Sequence, residues 1–184
     1  MVLRGRAGPV SGSAEVRGFG LWMSELIRPR INAQHQVVFD NVTSAWTAGI
    51  EGSARARFEE WLSLTGAITW LETRDETLGR DLPFRPRLTA YVRPALHVPG
   101  IGPLDRVSAY VDLDYVSGAF NDPASTTPIP EQLYVGAGVS LEGFAGRVRI
   151  DLVARNLGDA RLVDLTERPL PGRSFAMQIA VRTE

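Results

Sequence analysis

The chain has 184 residues, enough for one sizeable domain, and its net charge of −1 indicates neither a polyanion nor an acidic surface as its partner. It contains no cysteine, which excludes disulfides, thiolate metal ligands and cysteine nucleophiles. No apolar run approaches the roughly 18 residues that a transmembrane helix needs.

Apolar and polar residues alternate with a period of two along almost the whole chain, which is the pattern of half-buried β-strands. The connections are too short for crossover helices, so consecutive strands are expected to pair antiparallel. The pattern predicts an all-β protein, an antiparallel meander of about nine strands. In chain order they lie near residues 2–7, 14–25, 36–57, 62–74, 86–98, 104–119, 131–142, 146–156 and 172–182.

Two architectures fit such a meander. In a soluble barrel or sandwich the apolar face points into a core, whereas in an outer-membrane barrel it meets lipid and the polar face lines the lumen. Strands longer than the usual five or six residues, and short connections alternating with long polar ones, favour the membrane barrel. Aromatic residues near the predicted strand ends, where an interfacial girdle would lie, favour it too: Trp22, Trp46, Phe58, Trp61, Trp70, Tyr115 and Phe175.

The two architectures make opposite predictions for the large residues of the apolar face. A soluble barrel would bury them in a closed core, whereas a membrane barrel leaves them exposed on the convex side of the sheet. The residues that decide between the two are Trp46, Ile50, Phe58, Leu88, Val92, Val111, Leu113, Val148 and Ile150.

Four stretches, in order, resemble the C-terminal part of the β-barrel of TonB-dependent outer-membrane receptors. The first is "GFGLWMSELIRPR" and the second is the strand "VVFDNVTSAWTAGIEGSARARF". The third contains an "L-P-x-R-P" step, and the fourth, "NLGDARLVDLTERPLPGR", resembles the last long loop before the closing strand. The matching residues are Asn41, Ala45, Gly49, Glu51, Leu82, Pro83, Arg85, Pro86, Asn156, Leu157, Asp159, Pro171, Gly172 and Arg173.

The resemblance implies that residues 1–184 are a C-terminal portion of such a barrel in the outer membrane of a Gram-negative bacterium. The family barrel has about 22 strands around a plug domain. The expected function is TonB-dependent uptake of a scarce ligand such as a siderophore or cobalamin, and the expected partners are outer-membrane lipid, the plug and the remaining strands. We expect a truncated chain that would reach the TonB complex only through the missing plug. The alternatives are an independent small outer-membrane barrel with a structural or adhesive role, and a soluble β-barrel binding module.

The candidate functional residues are charges on the polar faces of the predicted strands. On the family resemblance they face the lumen, where they would contact the plug or the permeating substrate. They are Glu51, Arg55, Arg57, Arg87, Arg93, Asp112, Asp114, Glu142, Arg147, Arg149, Asp151 and Arg155.

No pattern in the chain indicates catalysis, a cofactor or nucleic-acid binding. The two histidines, His35 and His97, have no neighbouring carboxylate cluster and make a poor metal site. The acidic run that starts at Asp112 fails the calcium-loop template, which requires glycine at its sixth position and glutamate at its twelfth. The basic stretches carry no aromatic stripe on the same face, which argues against nucleic acid as a partner. We therefore expect neither an enzyme nor a metalloprotein.

Overall fold

The computed structural model describes residues 1–32, 34, 36–100, 102–161, 163–165 and 168–183. Nine of its strands form one antiparallel sheet, in which each of the nine pairs with the next one along the chain. These strands are β1 (Val2–Ala7), β2 (Val10–Ile31), β3 (Val37–Phe58), β4 (Leu62–Asp75), β5 (Leu88–Pro99), β6 (Leu104–Val116), β9 (Gln132–Gly143), β10 (Val148–Arg155) and β13 (Ser174–Val181).

Four short strands lie in the long connections and form two small ladders of their own. They are β7 (Ala119–Phe120), which pairs with β8 (Pro128–Ile129), and β11 (Val163–Leu165), which pairs with β12 (Arg168–Pro169). The sheet therefore follows the chain as a meander, and the all-β fold predicted from the alternation is confirmed. No helix in the described part of the chain is long and apolar enough to cross a membrane.

The first long hairpin differs from its prediction. The strands β2 and β3 each have 22 residues and remain paired in one register out to Ile31 and Val37. The alternation predicted the first of these strands only over residues 14–25. At about 3.3 Å per residue each strand is roughly 73 Å long, about twice what a tilted strand needs to cross a bilayer.

The connections lie along two opposite borders of the sheet, which are formed by the two ends of its strands. Short turns at 8–9, 59–61, 100–103 and 144–147 lie at one edge, and the longer connections 32–36, 76–87, 117–131 and 156–173 lie at the other. We call these the short-turn edge and the long-loop edge.

Each connection at the long-loop edge is organised by an Asn or Asp side chain that accepts hydrogen bonds from loop amides, the usual role of these residues in turns. Asn32 Oδ1 accepts from the amides of residues 34 and 36, and Asp75 Oδ1 accepts from the Leu78 amide at 3.0 Å. Asp122 binds the amides of residues 126 and 127, and Asn156 Oδ1 binds the Ala160 amide at 3.0 Å. The long connections are therefore folded locally.

The sheet is a single layer without a conventional core. Among the residues whose side-chain burial the structure describes, only Ala45 and Ile129 are buried hydrophobic residues. A compact protein of 20.1 kDa exposes about 8,700 Å², whereas this chain exposes 12888 Å². The excess area means that the chain by itself leaves both faces of the sheet uncovered.

Candidate functional site

Strand pairing collects polar side chains on one face of the sheet and apolar side chains on the other, because the side-chain period is two and the register is continuous. We call these the polar face and the apolar face. On β9 the small polar-face residues Gly136, Gly138 and Ser140 are buried, whereas Leu133 and Val139 on the apolar face are exposed. The polar face is thus the inner, concave side of a curved sheet.

The large apolar residues that decide between the two architectures lie on the convex face. Ile50, Val92, Val111 and Leu113 are exposed, with Ile50 at 52%, and the other five are half-buried. None of the nine is packed in a closed core. The soluble-barrel arrangement is therefore not the one that this chain adopts.

The centre of the polar face holds a compact charged cluster on β5 and β6. The guanidinium of Arg93 donates to both carboxylate oxygens of Asp112, Nε to Oδ1 at 2.5 Å and Nη2 to Oδ2 at 2.9 Å. The Tyr91 hydroxyl donates to the same carboxylate at 3.0 Å. The Arg93 Cζ atom lies 4.4 Å from the centroid of the Tyr110 ring, within range of a cation–π contact.

The Tyr110 ring is accommodated by a glycine on the next strand. Tyr110 pairs with Gly138, and a Cβ added to Gly138 would lie 2.6 Å from Tyr110 Cε1. Phe19 and Gly49 repeat the arrangement on β2 and β3, where an added Cβ would lie 3.1 Å from Phe19 Cε1. Glycine on the inner face lets an aromatic ring lie flat against the neighbouring strand.

A second ion-paired group lies on β9 and β10. Arg149 Nε donates to Asp151 Oδ2 at 2.8 Å, and Arg149 Nη1 donates to Glu142 Oε1 at 3.2 Å. Of the predicted charges, the structure thus brings Arg93 together with Asp112, and Arg149 together with Glu142 and Asp151.

The other predicted charges have more varied positions. Asp114 is opposite Tyr91 on the polar face, and Arg155 is opposite Ser174 at the end of β10. Glu51 on β3 is opposite Arg17 on β2. Arg55 and Arg57 lie on the same face near the short-turn edge and are described further below.

Two predicted charges lie outside the strands. Arg87 immediately precedes β5 and pairs with Asp81 of the preceding connection at 2.8 Å. Arg147 lies in the turn 144–147 rather than in a strand. That turn has left-handed backbone at Phe144, Ala145 and Gly146, so β10 begins at Val148 rather than at residue 146, where the alternation predicted its start.

Several residues that the sequence did not single out belong to the same face. Tyr91, Tyr110, Arg4 and Arg6 share it, and only the strand register reveals their neighbours. The imidazole of His97 on β5 contacts a serine on each neighbouring strand: Nε2 lies 2.9 Å from Ser63 Oγ on β4, and Nδ1 lies 3.0 Å from Ser108 Oγ on β6. His35 lies outside the described residues. Within the described part of the chain no group of three or more His, Asp or Glu residues is arranged to hold a metal ion.

The motif residues of the last long loop contact one another. Asn156 is buried, and its Nδ2 donates to the carbonyls of Ala160 at 2.9 Å and Pro171 at 3.3 Å. Asp159 Oδ1 accepts from the Arg173 amide at 2.9 Å. Asn156 and Asp159 at the start of the loop therefore hydrogen-bond to Pro171 and Arg173 at its end.

Comparison with solved structures shows where this fold occurs. The chain superposes on the ferric yersiniabactin uptake receptor FyuA from Yersinia pestis with a TM-score of 0.75 and 15% identity, covering 97% of this chain and 28% of the receptor. For the copper transporter OprC the TM-score is 0.74, with 15% identity and the same two coverages. For BauA, the ferric preacinetobactin receptor from Acinetobacter baumannii, it is 0.68 with 16% identity, covering 98% of this chain and 28% of that one.

No protein-family model matches the sequence, and no curated protein matches it. The structural likeness establishes a shared fold, so the resemblance to TonB-dependent receptors read from the sequence is confirmed at the level of the fold. These neighbours are receptors and transporters rather than enzymes, and the chain spans little more than a quarter of their length.

Proposed function

We propose that this chain is a segment of the wall of an outer-membrane receptor barrel that takes up a scarce ligand by TonB-dependent transport. The observation that carries the proposal is the two-faced single sheet, with large apolar side chains exposed on the convex side and charged side chains on the concave side. A sheet of this kind is stable when lipid covers the first face and a polar lumen or a plug covers the second.

The arrangement of the connections supports the same reading. Outer-membrane barrels have short periplasmic turns and longer extracellular loops. The short-turn edge would accordingly face the periplasm and the long-loop edge the outside. The hairpin of β2 and β3 is then long enough to project well beyond the bilayer on the outer side.

The first and last strands of the sheet indicate how the segment would be completed. The strands β1 and β13 are the outermost strands of the ladder, and every described residue of each is exposed. An open edge presents a row of backbone groups that pair readily with another strand. In the proposed receptor β1 and β13 pair with the remaining strands of a larger barrel. The plug is the only part that would contact the TonB complex.

On this proposal the charged residues of the polar face serve binding and lining roles rather than catalysis. They are the predicted charges that lie on the strands, and they would face the lumen and contact the plug or the passing ligand: Glu51, Arg55, Arg57, Arg93, Asp112, Asp114, Glu142, Arg149, Asp151 and Arg155. The ligand class that the proposal names is a siderophore, cobalamin or a similarly scarce compound.

The absence of cysteine allows a direct test of the lipid-facing surface. Adjacent residues on β4 point to opposite faces and are both exposed, with Ile68 on the apolar face and Ala67 on the polar face. We expect a membrane-impermeant maleimide to label Ala67→Cys and to leave Ile68→Cys unlabelled in outer-membrane preparations, while detergent denaturation makes both reactive. Equal labelling of the two in intact membranes would reject the membrane-spanning arrangement.

The DNA upstream of Met1 separates the receptor from a small independent barrel. A reading frame there that encodes a plug domain and further barrel strands supports the receptor. An intergenic gap with its own promoter supports the independent outer-membrane barrel instead.

A further inference from the structure

The polar face of the first four strands carries two parallel rows of arginine and hydroxyl side chains. In the first row the strand register places Arg4, Ser13, Arg55 and Thr65 side by side. In the second row, one step nearer the short-turn edge, it places Arg6, Ser11, Arg57 and Ser63 side by side.

These rows line an open groove of about 720 Å³. Arg4, Arg55 and Arg57 contribute to its walls together with the serines and the threonine, and Arg6 lies beside it on the same face. Seven of its eleven lining residues belong to the two polar-face rows, and the other four, which alternate with them along the strands, are Gly5, Gly12, Ala56 and Leu64. The groove therefore belongs to the polar face.

The four arginines of the two rows lack counter-charges, in contrast to three other arginines of this face. Arg93 and Arg149 are bound to carboxylates, and Arg17 pairs with Glu15 at 2.7 Å. Among the described residues no carboxylate forms an ion pair with Arg4, Arg6, Arg55 or Arg57, and no acidic residue lies within the two rows.

The spacing of the rows suits an anion with several oxygens. Alternate strands lie about 9.6 Å apart and alternate residues of one strand about 6.8 Å apart, so the four Cα positions form a rectangle of these dimensions. Guanidinium groups on long flexible stems reach inward from its corners, and the hydroxyls of Ser11 and Ser13 lie between them. Arginine forks match the geometry of phosphate oxygens in a bidentate manner, and hydroxyl groups add further donors.

We infer that the groove is a binding site for a multivalent oxyanion of the phosphate class. Binding would neutralise four like charges that form no ion pair with any residue the structure describes, and would use the serine hydroxyls as additional donors. The inference goes beyond the proposed transport function. All residues of the site belong to β1–β4, so the 184-residue chain can be tested for binding without the rest of a receptor.

Isothermal titration with inorganic pyrophosphate tests the site, using the 184-residue chain refolded in a neutral detergent at low ionic strength. We expect saturable binding that weakens as salt is added. Arg4→Gln and Arg55→Gln should each weaken the affinity about ten-fold, the effect of losing one charge-assisted hydrogen-bonding group. Arg55→Lys should lie between Arg55→Gln and the unchanged chain, because it keeps the charge and loses the fork.

Arg182→Gln is the matched control, because Arg182 is exposed and lies outside the two rows at the far end of the sheet. It should leave the affinity unchanged. The inference is overturned if pyrophosphate fails to bind at millimolar concentration, or if Arg182→Gln weakens binding as much as Arg55→Gln does.

A second measurement needs no variant and does not depend on the folding of one. Phenylglyoxal modification followed by mass spectrometry should show that pyrophosphate protects Arg4, Arg55 and Arg57, while Arg182 reacts at the same rate with and without it. Equal rates at all four positions would overturn the inference. Maleimide labelling of β4 tests the membrane arrangement separately, so failure of one proposal is distinguishable from failure of the other.

Discussion

Arg93 on β5 donates two hydrogen bonds to the carboxylate of Asp112 on β6, and the same guanidinium lies over the ring of Tyr110. The carboxylate is the less exposed partner, with 18% of its side chain accessible against 42% for the arginine. The pair links two neighbouring strands on the concave face.

Asp112→Asn should lower the free energy of unfolding by about 1–2 kcal/mol. The variant loses the charge-assisted part of the two bonds, and the partial exposure of Arg93 reduces the loss below that of a fully buried pair. Tyr91→Phe is the matched control, because it removes one neutral donor from the same carboxylate and should cost less. Denaturant unfolding of the detergent-refolded chain measures both, and an equal cost would show that the charge contributes nothing.

Gly138→Ala should destabilise the sheet by about 1–3 kcal/mol, because the added methyl group displaces the Tyr110 ring from the neighbouring strand. Gly5→Ala is the control, since a Cβ at Gly5 meets no atom within 4 Å. It should be neutral or slightly stabilising, because alanine restricts the unfolded chain.

Combining Gly138→Ala with Tyr110→Ala tests the mechanism. The second substitution removes the ring that the new methyl group displaces, so the double variant should be more stable than the sum of the two single changes predicts. Simple additivity would contradict a direct contact between the two residues.

Asn156→Ala should release the last long loop, because its side chain binds the amide and carbonyl of Ala160 and the carbonyl of Pro171, which is 15 residues away in the chain. Loss of these bonds in a buried position costs about 1–3 kcal/mol. Limited proteolysis should then cut within residues 157–172 faster than in the unchanged chain. Asn156→Asp keeps the acceptor for the Ala160 amide and loses the two donated bonds, so its cleavage rate should be intermediate.

The loop between β7 and β8 should respond to acid. Partial desolvation of Asp122 raises its pKa, but the hydrogen bonds from Thr126 and Thr127 outweigh it, so the pKa of this carboxyl lies below its ordinary value. The order it gives the loop is thus fully present above pH about 3.9 and is lost as the pH falls through the lowered pKa.

Amide resonances of Thr126 and Thr127 in NMR spectra should report this titration. Asp122→Asn retains an acceptor oxygen and cannot ionise, so its spectra in the same range should not change with pH through this group. A titration midpoint for the unchanged chain above the ordinary value for aspartate would contradict the prediction.

The alternation of side chains was sufficient to predict the number, order and faces of the nine main strands, because that pattern follows directly from the pleat. It failed at the outer part of β2, residues 26–31, whereas it predicted β3 over nearly its whole length. The outer part of β2 is held as a strand by backbone pairing with β3, from Leu26 opposite Val42 to Ile31 opposite Val37, and backbone pairing leaves no periodic signature in the sequence.

The candidate site was only partly predictable for a related reason. Arg93, Asp112 and Arg149 lie on the predicted polar face, and their alternation is visible within each strand. The groove of Arg4 and Arg55 was not anticipated, because the two residues are 51 positions apart and meet only through the register of β1, β2 and β3. Composition cannot reveal which charges on separate strands lack a counter-ion.

The single-layer sheet has a thermodynamic consequence for anyone who handles this chain. In a protein with an enclosed core, apolar side chains contact one another and these contacts do not depend on the solvent. Here the apolar side chains of the convex face contact the surrounding medium instead. The folding equilibrium is therefore coupled to the partitioning of this face between water and the amphiphile. Changing the acyl-chain length of the surrounding amphiphile should shift the unfolding midpoint as strongly as a substitution in an ordinary core would.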